Sequence, residues 1–380
     1  MRLSTDPYAR RRLAALGCVA VAALLLGILV GAGGDDDSES RPAAAAERAA
    51  RVEARLSLRQ QVGQVLVSSF DGVEVPAYMT RRLRAGETAG VILFGSNVLS
   101  RGGLRKLTRS VQRASGGSAL VTADQEGGTI RSIPFAGPVA AKPDQGGPRD
   151  VQRTARDASR DLRRLGLNVN LAPVADVTAG PAAFGGRTFA GTPAEVAARV
   201  RASIRGARAA GVATTAKHFP GIGSAEANTD DAPVTIGAPR AQIEDRDLPP
   251  FQAAIAERVP LVMASHALYP AYDSTSIASQ SGALLRVLLR RRLGFRGVIV
   301  TDSLEADAVL QRSNVAVAAE RSIDAGADVV LLTGSGSWKD VFPHLLERAR
   351  RSPEFRARIR DAAGRVLALK RELKLRPVAP

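Results

Sequence analysis

Between Leu56 and Leu375 the chain alternates two patterns: short apolar runs rich in β-branched residues, and longer stretches of Ala, Arg and Leu whose apolar positions recur every three to four residues. Side chains alternate across a strand but return to one face of a helix after about 3.6 residues, so the first pattern predicts strands and the second helices. The strand-like runs are Gln64–Ser69, Ala89–Phe94, Ala119–Ala123, Leu167–Ala172, Val212–Ala216, Leu261–Ser265, Gly297–Thr301 and Ala327–Leu332. A strand covered on both faces reads as a continuous apolar run, which predicts a parallel sheet wrapped by helices. Eight such units fit an α/β fold of the (β/α)8 type, the TIM barrel, better than a doubly wound sheet, which usually has fewer strands. The Gly-x-Gly-x-x-Gly turn of a dinucleotide-binding sheet is absent after the first strand.

A different pattern precedes the barrel. Leu13 to Gly34 is a charge-free apolar run, with Arg10, Arg11 and Arg12 before it and Asp35, Asp36 and Asp37 after it. A helix needs about twenty apolar residues to cross the hydrocarbon layer, and its basic flank stays on the cytoplasmic side. Residues 1–34 are therefore expected to be a signal anchor or signal peptide, with the rest of the chain outside the cytoplasm. Ala32-Gly33-Gly34 offers small residues to a signal peptidase, so a single-pass cell-membrane protein and a secreted one both stay open. Cys18 lies inside the run with most of it downstream, the wrong place for a lipoprotein cysteine, and is expected to be membrane-buried. Residues 35–55, first Asp/Ser-rich and then Ala/Arg/Glu-rich, read as a linker, and residues 56–376 as the barrel domain.

Composition narrows the partners. The 380 residues carry 53 Lys+Arg against 37 Asp+Glu, a net charge of +16, with 45% hydrophobic residues, which excludes a disordered polyelectrolyte. One cysteine excludes an intrachain disulfide framework and any cysteine-clustered metal site. His218, His266 and His344 are too scattered for a multi-histidine centre, so no metal and no cofactor is expected. The basic excess is mostly Arg spread along helices, and with 4% aromatics the chain lacks the rings that stack on bases. Nucleic acid is not an expected partner, and the protein is expected to be a monomer.

Active sites of (β/α)8 barrels gather at the carboxyl ends of the strands. Here the third run ends in Asp124-Gln125-Glu126-Gly127-Gly128, the fourth leads to Asp176, the fifth runs into Lys217-His218, the sixth into His266 and the seventh into Asp302. Loops are polar anyway, but these are acids and histidines rather than Ser, Asn and Gly. Glycosidic hydrolysis needs a carboxylate on one face of the sugar and a proton donor on the other. Asp302 could serve as that carboxylate or, equally, cap a helix. Lys217 and His218 could bind sugar hydroxyls, provided the strand ends or bends there, since adjacent strand residues face opposite ways; the following Pro220-Gly221 favours this. A salt-bridged Lys and a core His are the structural alternative. Asp176 reads as support for Arg187 or the Lys217 region, or as a direct sugar contact. His266 reads as packed at the barrel top, and His344 as a surface or interhelical residue.

Together, Asp124-Gln125-Glu126-Gly127-Gly128, Lys217-His218-Phe219-Pro220-Gly221, Ala264-Ser265-His266-Ala267-Leu268-Tyr269-Pro270 and the segment from Gly294 to Leu304 resemble glycoside hydrolase family 3. The likeness is greatest to its single-domain bacterial β-N-acetylhexosaminidases and runs from about Leu56 to the last helix, with the motifs in family order. Asn168 to Val177 and Gly186-Arg187-Thr188-Phe189 fit the same pattern. The resemblance implies a retaining hydrolase with Asp302 as nucleophile and with Asp124, Arg187, Lys217 and His218 binding the sugar. It also implies a glycan containing N-acetylglucosamine as substrate, in the form of cell-wall fragments.

The chain departs from that family in one loop. After Lys-His-Phe-Pro-Gly the family hexosaminidases carry His-Gly and then Asp-Ser-His, whose His is the acid/base and whose Asp orients it. Here the loop reads Ile222-Gly223-Ser224-Ala225-Glu226-Ala227-Asn228-Thr229-Asp230, which puts Asp230 at the catalytic His and Asn228 at its partner. Ser132 stands where many relatives carry a sugar-binding Arg, with Arg131 beside it. Three readings follow: Asp230, Asp231 or Glu226 donates the proton; the barrel binds sugar without cleaving it; or the loop is a solvated turn and the acid comes from elsewhere. A family 3 β-glucosidase is a further alternative.

Overall fold

The computed structural model describes residues 56–179 and 184–379. The expected leader, Cys18 and the linker lie outside the described residues. Among the described residues no helix is long and apolar enough to cross a membrane.

In chain order the strands are β1 Leu66–Ser68, β2 Gly90–Ile92, β3 Leu120–Ala123, β4 Gln125–Gly127, β5 Ile130–Arg131, β6 Val169–Asn170, β7 Ala213–Phe219, β8 Leu261–Ala264, β9 Leu268–Tyr269, β10 Asp273–Ile277, β11 Val298–Ser303 and β12 Val329–Leu332. Eight of them, in the order β1-β2-β3-β6-β7-β8-β11-β12, close into a parallel barrel. Each of the eight apolar runs supplies one barrel strand. The two remaining pairs, β4-β5 and β9-β10, are short antiparallel hairpins that follow β3 and β8 at the mouth of the barrel.

Most strands are shorter than their apolar runs, and β6 and β7 depart from theirs for identifiable reasons. β6 is shorter because side chains take over its ladder. Asn168 Oδ1 accepts from Val121 N at 2.9 Å, Asn170 Oδ1 accepts from Gln125 N at 3.1 Å, and Pro173 then has no N–H to offer. β7 is longer and does not end at Lys217. It continues to Phe219 with a register shift between Ala216 and Phe219, and the Lys217–His218 peptide is cis.

The barrel interior is filled by Val67, Ile92, Val169, Met263, Val300 and Leu331, and Val366 and Leu369 of helix Pro353–Glu372 close it from below. That plug makes the amino-terminal end of the strands a floor and leaves their carboxyl ends as the open mouth. Helices shield the outer faces, and several open with a side-chain cap. Helix Pro193–Ala209 opens with Thr192, Pro193 at the first turn and Glu195 returning to the Thr192 N–H. The described residues form one compact unit.

Candidate active site

A cavity of about 380 Å³ opens at the mouth, within the range of small-ligand pockets. All six residues singled out from the sequence line it: Asp124, Arg187, Lys217, His218, Asp230 and Asp302. They come from the ends of β3, β7 and β11 and from the loops after β6 and β7, so closing the barrel is what brings them together.

The centre of the site is an interlocked set of charges. Lys217, 2% exposed, donates to Asp124 Oδ1 at 2.6 Å and lies 2.7 Å from Glu126 Oε1. Glu126, 1% exposed, takes Arg187 in a two-pronged pair, Nε to Oε2 at 3.0 Å and Nη2 to Oε1 at 2.7 Å. Burial alone would push Glu126 toward its neutral form, but Lys217 and Arg187 outweigh it and hold the carboxyl well below the ordinary range. Burial likewise opposes the charge on Lys217, and Asp124 and Glu126 reverse that and raise its pKa. The motif around Asp124 pointed to this strand end but assigned Glu126 no role. Nothing local distinguishes Glu126 from its neighbours; its function is to bridge cations supplied by two later segments.

His218 has its own anchor. Its Nδ1 donates to Asp176 Oδ2 at 2.7 Å, which leaves Nε2 directed at Asp302 Oδ2, 3.7 Å away. Asp176 is fully buried and also accepts from the backbone N–H groups of His218 and Ile222. It therefore acts through His218 and Lys217's strand; it makes no pair with Arg187 and does not line the cavity. Phe184 packs against the His218 ring, 5.8 Å between centroids, and forms a wall of the cavity.

Asp302 lies within β11 and is not a helix cap, since the next helix, Asp307–Leu310, is capped at Ala306. Its side chain keeps 22% of its surface open to the mouth. Burial would raise its pKa, but His218, His266, Lys217 and the Ser303 N–H, which donates at 2.9 Å, hold it below the ordinary carboxylate value. His266 is buried beneath it, with Nε2 donating to the Ser303 carbonyl and Nδ1 accepting from Ser279, both at 2.8 Å. Burial favours its neutral form, which fits a packing role. His344 joins two helices through Glu320 at 2.6 Å.

The loop after β7 brings Asp230 to the same cavity and fastens it there. The carbonyls of Thr229 and Asp230 accept from the N–H groups of Ala308 and Asp307 at 3.2 and 3.1 Å, and Asn228 Nδ2 donates to Asp230 Oδ2 at 3.1 Å. The Asp230 carboxyl is raised above its ordinary value, first by partial burial of the carboxyl in the cavity and then by repulsion from Asp302, although the residue as a whole is exposed. Glu226 and Asp231 are exposed and line no part of the cavity. Arg131 and Ser132 both line it. Among the described residues no group of three or more His, Cys, Asp or Glu is arranged to hold a metal ion.

Comparison with known proteins gives a consistent picture. Residues 57–369 match the family model described as the glycosyl hydrolase family 3 N terminal domain. A secreted glycosyl hydrolase of uncharacterised activity from Arthroderma benhamiae is 32% identical over 292 residues, 73% of this chain and 83% of that protein. A β-hexosaminidase from Xylella fastidiosa is 35% identical over 280 residues, 70% of this chain and 83% of the relative. Among solved structures, a family 3 β-N-acetylglucosaminidase from Paenibacillus sp. superposes with a TM-score of 0.79 at 32% identity. The match covers 84% of this chain and 63% of that longer one.

Proposed function

This chain belongs to glycosyl hydrolase family 3, and we propose that it removes terminal β-linked N-acetylhexosamine with retention of configuration, Asp302 serving as nucleophile and Asp230 as proton donor. One observation carries the reading: two carboxyl groups share a cavity, and their surroundings shift them in opposite directions, Asp302 downward and Asp230 upward. Acid and base roles are divided in this way wherever one site must both attack and protonate. In the first step the Asp302 carboxylate bonds to the anomeric carbon while the Asp230 proton passes to the departing oxygen. In the second, water gives its proton to Asp230 and its oxygen to the anomeric carbon, and Asp302 leaves as the carboxylate. Asp124, Arg187, Lys217 and His218 bind sugar hydroxyls; Lys217 uses two of its three donors on Asp124 and Glu126 and keeps one for substrate.

The names borne by the relatives support hexosamine as the sugar. The apolar leader supports an extracytoplasmic address for the barrel domain over residues 56–376, and cell-wall fragments as the source of that sugar. A second reading rests on a specific feature, the carboxyl at position 230 where the family carries His: a barrel that binds the sugar and does not cleave it.

Purified residues 41–380 should release the chromophore from an aryl N-acetyl-β-glucosaminide, and Asp302→Ala should lower that release by about 10⁴-fold or more. Sugar binding without turnover by the unaltered protein would establish the second reading. Faster turnover of an aryl β-glucoside than of the N-acetyl substrate would reassign the sugar.

A further inference from the structure

The floor of the barrel is lined by cations. A cavity of about 830 Å³ lies between the turns into β7, β8 and β11 and the end of helix Pro353–Glu372. Its charged lining is Arg163, Arg208, Arg258, Arg296, Arg365 and Lys374, with Glu372 as the one acid. A neighbouring groove of about 500 Å³ beside the turns into β3 and β6 carries Arg109, Arg113 and Arg376 and no acid. Part of this charge is used internally: Arg208 lies 3.9 Å from Glu257, and Arg365 lies 2.5 Å from Asp361 and 3.5 Å from Asp328. Arg258, Arg296 and Lys374 are exposed and have no carboxylate partner among the described residues.

Two of these three hold a backbone conformation that penalises them. The turns into β2, β3, β6, β7, β11 and β12 each place glycine at positive φ: Gly86, Gly117, Gly166, Gly211, Gly294 and Gly326. The turn into β8 places Arg258 there instead, at φ 53, and Lys374 follows the last helix at φ 58. Among the described residues they are the only non-glycine residues in that region, and both line the floor cavity. A side chain in this conformation costs about 1–2 kcal/mol relative to glycine. The backbone conformation itself closes the two helix ends, Arg258 N–H donating to the Ile255 carbonyl at 2.8 Å and Lys374 N–H to the Arg371 carbonyl at 2.9 Å. Glycine would do this without the strain, and two cations placed there with no carboxylate partner point to something outside the fold.

The chain path says what lies there. Leu56 packs with Leu367 and Val378, Gln60 Nε2 donates to the Ala379 carbonyl at 2.7 Å, and Val378 lies against Gly86 at the turn into β2. Leu56, the first described residue, therefore lies at the floor. A connection of the length of residues 35–55 spans at most about 70 Å and, as a coil, averages about 25 Å. If residues 13–34 cross a bilayer, as their sequence predicts, the chain enters the barrel from that side at the floor, within reach of the headgroups.

We propose that the cationic floor docks on anionic phospholipid headgroups and holds the barrel with its mouth turned away from the membrane. Each cation near an anionic surface strengthens binding about 5-fold, and salt screens the attraction.

The test uses residues 41–380, which contain the whole compact unit and lack the apolar run; the arginines of residues 41–55 are common to every variant, so binding lost on substitution at the floor is the barrel's own. They should sediment with phosphatidylcholine vesicles containing phosphatidylglycerol, not with phosphatidylcholine alone, and added salt should release them. The variant R258G/R296S/K374G removes three charges and restores glycine at both strained positions, so it should fold at least as well. It should bind the anionic vesicles on the order of 100-fold more weakly, with chromophore release from the aryl glycoside unchanged. Equal binding by the variant, or equal binding to both vesicle types, would overturn the proposal. Capture of soluble polyphosphate with no vesicle binding would overturn it too, in favour of a polyanion site. Inactivity of both proteins on the aryl glycoside would count against the hydrolase reading and leave the vesicle result standing.

Discussion

Lys217 at the mouth and Lys370 at the floor are both buried, 2% and 3% exposed, and their surroundings treat them in opposite ways. Lys217 sits between Asp124 and Glu126, and its charge is favoured beyond that of a free lysine. Lys370 has the Gln64 Oε1 at 2.6 Å and no carboxylate, and burial pushes it down to about 7. The difference carries over to each end as a whole. At the mouth the central charges, Asp124, Glu126, Arg187 and Lys217, are held by counter-charges from other segments, which fixes side-chain positions to within a hydrogen bond. At the floor Arg208 and Arg365 are paired, but Arg258, Arg296 and Lys374 have no carboxylate partner among the described residues, and burial destabilises the charge on Lys370. Fixed geometry suits chemistry on a small sugar; unpaired positive charge suits a partner that is large, anionic and loosely defined.

The largest effect expected at the mouth is on the proton donor. Asp230→Asn should slow glycosides with poor leaving groups by about 10²–10⁴-fold and activated aryl glycosides far less. Its raised pKa should also set the alkaline limb of kcat/KM, because activity is lost as pH rises through it, and the substitution should remove that limb. Equal slowing of both substrate types would transfer the role elsewhere. Next comes the buried counter-charge. Glu126→Ala leaves Lys217 and Arg187 without their shared partner and should destabilise the barrel by about 3–5 kcal/mol in urea unfolding.

The floor should respond with the opposite sign. Lys370 has a folded pKa of about 7 against 10.5 when unfolded, so the native state resists protonation. The penalty is absent above about pH 10.5, grows as pH falls, and is complete below about 7. Lys370→Met should therefore stabilise the protein by about 1–2 kcal/mol at or below neutral pH, after allowing for the donor lost by Gln64, and the gain should vanish toward pH 10. The smallest effect is Arg258→Gly, a gain of about 0.5–1 kcal/mol measured as a rise in Tm. A loss there would mean that Arg258 makes a stabilising contact within the fold.

The eight strands and the address of the site at their carboxyl ends were legible in the sequence because strand and helix periodicity are local, and because acids and histidines stand out after apolar runs. Lys217, His218 and Asp302 were singled out in this way, and Asp230 through the resemblance of its loop to the family's. Glu126 was not, because its worth comes from Arg187, 61 residues on, and from Lys217, further still. The floor was read only as basic residues spread along helices. Tertiary structure alone decided which of those cations find partners, because ion pairs depend on distances across the closed barrel. It alone decided, too, that Arg258 occupies a turn position that glycine fills elsewhere, since φ at a helix end is set by the path to the next strand and not by the residue placed there.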